Sequence, residues 1–344
     1  MSHTVKRTII VSAALVGFIS VILLIILYYN SPLKKRDSVL QGRENHLFLI
    51  TNGESVIRVG KNLRVNGHIR SERFFVMMVR MRHLAGEIKA GEYHIEPSLS
   101  TFQIIDILTE GRVITQRFTV PEGLHMRQIA DALERAGIVG ADEFLEACHD
   151  DMILMKYGIP FQSVEGYLYP DTYVVAKGLR AEQIVTIMIE HFFEEISLLI
   201  SSGYTEEELG KVVIIASLVE REAKVDNERA LIAAVFYNRL MKEKRLESCA
   251  TVQYVLGKTK ERLLYSDLKV ESPYNTYLHK GLPPGPIANP GVNSIRAAMY
   301  PADVDYLFFV SKHDGSHYFS TTYTEHLKAI EKYNKSGTVG HHIS

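Results

Sequence analysis

The stretch Val212-Val-Ile-Ile-Ala-Ser-Leu-Val219, followed directly by Glu220-Arg221-Glu222-Ala223, decides the architecture. A run that is aliphatic but for one serine leaves no helix face for water, so the helix it forms belongs at the centre of a domain. Its start is signalled by Thr205 with Glu208 three residues on, the pattern of a capping box. Carboxylates at the far end of a buried helix are costly to desolvate, and packing gives little reason to put them there. A carboxyl held against an apolar wall is pushed toward its neutral form, which is what a general acid on a glycosidic oxygen needs. Two positions along a helix amount to about 200° of rotation, so Glu220 and Glu222 cannot share a face. A solvated helix end is the plainer account of an isolated Glu-x-Glu, and the surrounding sequence has to decide.

The chain has 344 residues, room for two or three domains, and its 39 Lys and Arg against 40 Asp and Glu leave a net charge of −1. Without a basic surplus, nucleic acid is not an expected partner. Ile9 to Tyr29 carries no charge, and a helix of that length spans roughly 31 Å, enough to cross the hydrocarbon core. No Ala-x-Ala cleavage site precedes Asn30, so a retained single-pass anchor is expected at 9–29, after a short N-terminus at 1–8. Lys6 and Arg7 before it and Lys34, Lys35 and Arg36 after it leave the orientation open on charge alone. Cys148 and Cys249 match no metal-ligand spacing and read as buried thiols.

Residues 30–45 read as a polar linker. Beyond it, Tyr93-x-Ile95 followed by Gln103-Ile104-x-Asp106-x-Leu108 recurs as Phe118-x-Val120 and Gln128-Ile129-x-Asp131-x-Leu133, at a constant offset of 25 residues. Each copy reads as a short strand, a turn and an amphipathic helix. A looser third copy runs from Phe48 through Ile50, Gly53 and Ile57 to Leu63. Ala181–Leu199 and Asn227–Lys242 read as further helices. The chain then turns loop-rich, with Tyr274-Asn-Thr-Tyr277, Gly281-Leu-Pro-Pro-Gly-Pro-Ile287 and Asn289-Pro-Gly291. Proline fixes φ and glycine frees it, giving a shaped loop, and tyrosine and asparagine beside it supply the stacking faces and amides that line sugar clefts.

Taken together, these segments resemble the MltG (YceG-like) family of membrane-anchored endolytic murein transglycosylases. The family's Glu-Gly-Trp/Tyr-x-x-Pro-Asp-Thr stretch corresponds to Glu165–Thr172 and its Ala-Ser-Ile-x-Glu-Lys-Glu helix to Ala216–Glu222. Val-Phe-x-Asn-Arg-Leu is present at Val235–Leu240, and Tyr-Asn-Thr-Tyr and Gly-Leu-Pro-Pro-Gly are unaltered. Two departures stand out: Cys249-Ala250 replaces Asp-Pro before Thr251-Val252-Gln253-Tyr254, and the helix ends Glu-Arg-Glu-Ala rather than Glu-Lys-Glu-Thr.

The resemblance implies an α+β protein made of an anchor, a LysM-like region at 46–160, a mainly helical catalytic domain at 161–335 and a flexible tail at 336–344. It implies a lytic cut of the β-1,4 bond between N-acetylmuramic acid and N-acetylglucosamine, with Glu222 as the single catalytic carboxyl and 1,6-anhydro ends as product. Substrate contact is expected from Asn238, Thr251, Gln253, Tyr254, Tyr274, Asn275, Thr276, Tyr277, Leu282 and Pro283, with Glu220 in a supporting hydrogen-bond or structural role. The expected partners are peptidoglycan strands, a membrane and the synthases of the elongation machinery, at the cytoplasmic (inner) membrane with the catalytic domain outside. No cofactor is expected. His313, His317 and His326 fit no standard metal pattern, and His317 is expected to order a C-terminal strand. A catalytically silent glycan-binding adaptor and a water-using muramidase are the rival readings, separable by product.

Overall fold

A computed structural model gives the fold and describes residues 3–33, 47–51, 53–200, 203–258, 260 and 263–333. The polar tail and most of the expected linker lie outside these residues. The fold is α+β, with helices and two-stranded sheets in two compact units. One comprises residues 1–116 with 174–179, the other 117–173 with 180–344.

In the first unit the N-terminal helix α1 (His3–Asn30) is apolar and exposed along Leu15, Phe18 and Leu24. Strand β1 (Leu47–Ile50) leads through α2 (Val56–Val65) and α3 (Glu72–Met81) to β2 (Gly91–His94), which pairs antiparallel with β1, Phe48 opposite Tyr93. Helix α4 (Thr101–Glu110) closes the unit. The core is what the apolar spacing requires: Phe48, Leu63, Phe75, Tyr93, Ile104 and Leu108 are all buried in one cluster, with Ile26 and Tyr29 of α1 packed against it. The chain just past the apolar run is held in place as well. The Thr101 hydroxyl donates to the Tyr29 carbonyl at 3.0 Å, the Phe102 amide donates to Asn30 Oδ1 at 2.9 Å, and Arg70 donates to the Pro32 carbonyl at 2.9 Å.

Strand β3 (Thr115–Thr119) pairs with β4 (Thr172–Ala176), and both strands are divided between the units. Helix α5 (Met126–Arg135) begins 25 residues after α4, is likewise ten residues long, and buries Ile129 and Leu133 where α4 buries Ile104 and Leu108. Both helices open with a capping box, on Ser100 and on His125.

In the second unit, α6 (Ala141–Ala147) and α7 (Asp151–Lys156) lead past β4 to α8 (Ala181–Ile196) and then α9 (Glu206–Glu222), the helix of the opening stretch. Val212 through Val219 is buried on every side, and Thr205 and Glu208 form the expected capping box. Helix α9 packs against α10 (Arg229–Met241), α11 (Cys249–Leu256) and α12 (Val292–Met299). Each buried Ile, Leu or Val there contributes about 1.5–3 kcal/mol. Its serine has a task. Ser217 Oγ donates to the Ile214 carbonyl at 2.7 Å and accepts the Ile287 amide at 3.1 Å, tying the Gly-Leu-Pro-Pro-Gly-Pro-Ile loop to the core. Gly166 sits at φ +89°, and a Cβ there would come within 2.6 Å of Pro286 and 2.8 Å of Val213, so only glycine lets the Glu165 loop close on α9. The unit ends with the antiparallel hairpin β5 (Phe308–Ser311) and β6 (His317–Ser320), against which α13 (Tyr323–Tyr333) packs.

Candidate active site

Glu222 occupies the last turn of α9 and is half-buried, where the apolar helix runs out toward the loops. Its carboxylate accepts the Ser248 hydroxyl at 2.6 Å. Ser248, fully buried as the N-cap residue of α11, is itself held in a network of hydroxyls. Its amide donates to Thr276 Oγ1 at 3.1 Å, and Thr251 Oγ1 donates to its carbonyl at 2.8 Å and lies 2.9 Å from Thr276 Oγ1. Three hydroxyls on two segments thus fix the rotamer of one carboxyl. The Cys249 thiol lies 3.1 Å from the Tyr277 hydroxyl. Burial, then the charge of Glu222, pushes that thiol up to about 11. Burial pushes the Tyr277 phenol up too, with Cys249, Glu222 and Glu247 adding to it.

Glu220 points elsewhere, as the helical rotation requires. Its side chain is only 6% exposed; it accepts Arg229 Nη1 at 3.2 Å and the Gly291 amide at 3.0 Å, and Arg229 also bonds Ser294. The side chain of Glu220 is thus sealed by a buried guanidinium and the start of α12, whereas that of Glu222 is held by a hydroxyl instead of an arginine. Glu247, whose charge reaches Tyr277, is paired to the buried Arg239.

The other expected contact residues do not all gather in one place. Thr251, Thr276 and Tyr277 gather around Ser248 and Glu222. Tyr254 packs on Tyr274 with ring centroids 5.1 Å apart, and Gln253 Nε2 donates to the Lys260 carbonyl at 3.1 Å. Asn238 and Asn275 serve the backbone: the first donates to the Val304 and Tyr306 carbonyls, the second to those of Leu268 and Val270. Leu282 is half-buried and Pro283 buried in the loop. His317 Nδ1 lies 2.7 Å from buried Glu228, whose carboxylate also accepts the His317 amide, so the ring fastens β6 to the start of α10. Both cysteines are free, Cys148 buried and Cys249 half-buried. No group of three metal-binding side chains occurs among the described residues.

Sequence reading passed over a second carboxyl. Glu165 is fully buried and accepts the Met126 amide at 3.0 Å, Asn289 Nδ2 at 2.9 Å and the Tyr254 hydroxyl at 3.4 Å. Burial outweighs these donors and pushes it up to about 8. Asn289 Oδ1 in turn accepts the Gly166 and Leu168 amides, both at 2.9 Å. This hub joins the start of α5, the Glu165 loop, the Asn289 loop and α11. Glu165 heads the Glu-Gly-Tyr motif and Asn289 the Asn-Pro-Gly motif; that was the available signal.

An α+β fold that sets the motifs at 165–172, 216–222, 235–240, 274–277 and 281–285 around one buried helix defines the class. The profile of the YceG-like family matches residues 48–332, and the chain belongs to that family. It is 35% identical over 304 residues to an endolytic murein transglycosylase of Bacillus subtilis, covering 83% of this chain and 84% of that protein. It is 27% identical over 320 residues to one of Streptococcus pneumoniae, where the match spans 58% of the longer relative. A crystal structure of a YceG-like protein of Listeria monocytogenes superposes with a TM-score of 0.55 at 33% identity, over 82% of this chain and 98% of that one.

Proposed function

We propose that the protein is a membrane-anchored endolytic murein transglycosylase that cuts the β-1,4 bond between N-acetylmuramic acid and N-acetylglucosamine, with Glu222 as its one catalytic carboxyl. The observation that carries this reading is the contrast around the end of α9: Glu222 is half-buried and held by the Ser248 hydroxyl, while Glu220 and Glu247 are each bound to a buried arginine. A hydrolase of the paired-acid kind needs a second free carboxyl at about 5–9.5 Å. A lytic enzyme does not. Glu222 protonates the leaving glycosidic oxygen; its carboxylate then takes the proton of the muramyl 6-hydroxyl as that oxygen closes on the anomeric carbon, leaving a 1,6-anhydro end. Ser248 holds the carboxyl in place through both steps.

The apolar segment Ser12–Asn30 is long enough to cross a bilayer, and we read α1 as a single-pass anchor in the cytoplasmic membrane with the catalytic region outside. The region 46–160 we read as LysM-like, contacting glycan or positioning the catalytic domain relative to the membrane. A tethered enzyme reaches only strands near the membrane, so its cuts would end the elongation of nascent strands beside the synthases that make them. The test is mass spectrometry of products from uncrosslinked murein, wild type beside Glu222→Gln. Internal cuts with anhydro-muramic ends, absent in the variant, are expected. Reducing ends would mean a water-using muramidase, and intact strands that still bind would mean an adaptor.

A further inference from the structure

Helices α9 and α11 and the turn before α5 enclose a small notch whose polar lining is His125, Arg221, Gln253, Tyr254 and Lys258, with Ala250 and Ile287 as its apolar part. Its volume of about 10 Å³ is the room of one water-sized centre. It cannot take a sugar ring; it can take one oxygen. The charge around it is lopsided. Arg127 stands in the first turn of α5, which holds no acidic residue, although that end of a helix ordinarily favours acids. Among the described residues no carboxylate lies within ion-pairing distance of Arg127, Arg221 or Lys258, and Arg221 spends one N–H on the Gly123 carbonyl at 3.0 Å. His125 Nδ1 accepts the Gln128 amide, so a neutral ring carries its proton on Nε2 as a donor. Burial, then Arg221 and Arg127, hold this imidazole below its ordinary range, with Asp131 the acid acting against them.

We infer that this notch is an anion subsite that seats a carboxylate carried by the glycan strand, gripped by Arg221 and His125 with Arg127 and Lys258 at its rim. The inference rests on the proposed function and adds to it what the enzyme reads besides the sugar backbone. Two carboxylates are available on such a strand: those of the stem peptide, and the lactyl group of a muramic acid whose peptide has been removed.

The experiment uses the full chain and the variants Arg127→Ala and Lys258→Ala, whose exposed side chains bury no core. KM and kcat are compared on peptide-bearing strands, on amidase-stripped strands, and on strands whose carboxylates are converted to methylamides. Losing a charged contact is expected to raise KM about tenfold with kcat unchanged. A rise confined to peptide-bearing strands assigns the stem-peptide carboxylate, and one confined to stripped strands assigns the lactyl group. A KM unchanged on both, or raised equally on methylamide strands, overturns the inference. A second readout needs no turnover. The His125 imidazole, followed by NMR, is expected to titrate higher when N-acetylmuramic acid or L-alanyl-D-glutamate is added to wild type, and not in Arg221→Gln. A silent imidazole with both probes overturns the subsite even where strands are cut, whereas an imidazole that responds in a protein that cuts nothing keeps the subsite and removes the transglycosylase.

Discussion

Glu222 and Glu165 are carboxyls of the same unit with opposite surroundings. Glu222 is half-buried with one hydroxyl donor; Glu165 is sealed, with donors from three segments, and burial sets it near 8. On the proposed reading, the most buried and most perturbed acid is not the one that meets substrate. A working acid has to reach a leaving oxygen, while a sealed one can only hold elements together.

The sharpest way to break that contrast is Glu222→Gln, expected to fold as wild type and lose about a thousandfold or more in kcat, the scale of a missing general acid. Wild-type turnover in it would move catalysis elsewhere. Glu165→Ala should do the opposite, costing roughly 3 kcal/mol of stability through donors left unsatisfied in a cavity, read as a fall in denaturation midpoint. The same carboxyl gives a pH test. Because folding raises Glu165 from 4.5 to about 8, its contribution is full below the lower value and lost as pH rises through the upper one. Melting temperature should therefore drop across that window in wild type and less steeply in Glu165→Gln. Ser248→Ala should lower kcat about tenfold with little change in stability, since the charged contact it removes holds only the acid. The smallest effect belongs to Cys249. With its thiol near 11, it should alkylate slowly at neutral pH and faster as pH rises, and Cys249→Ser should change kcat less than about twofold if no proton passes through it.

The sequence made α9 legible because aliphatic residues on all faces can only be a central helix, and the capping box and the opposed directions of Glu220 and Glu222 followed from spacing alone. The shaped loop from Tyr274 to Asn289 was legible for the same reason, proline and glycine leaving it few alternatives. Which acid is buried was not, because that depends on Arg229 and Gly291 arriving from elsewhere in the chain. Nor were the parts played by Glu165 and Asn289, which meet across more than a hundred residues. Asn238 and Asn275 look like cleft amides by residue type; only their carbonyl partners show them fastening loops.

The end of α1 has one more consequence. Tyr29, Asn30 and Pro32 are hydrogen-bonded to the first unit through Thr101, Phe102 and Arg70. If α1 spans a membrane, it is a mast stepped into a hull rather than a rope. The attitude of that first unit above the lipid would be inherited from the tilt of the helix, so bilayer thickness, to which an over-long apolar helix adjusts in part by tilting, becomes a lever on how the unit is presented to whatever glycan lies above it.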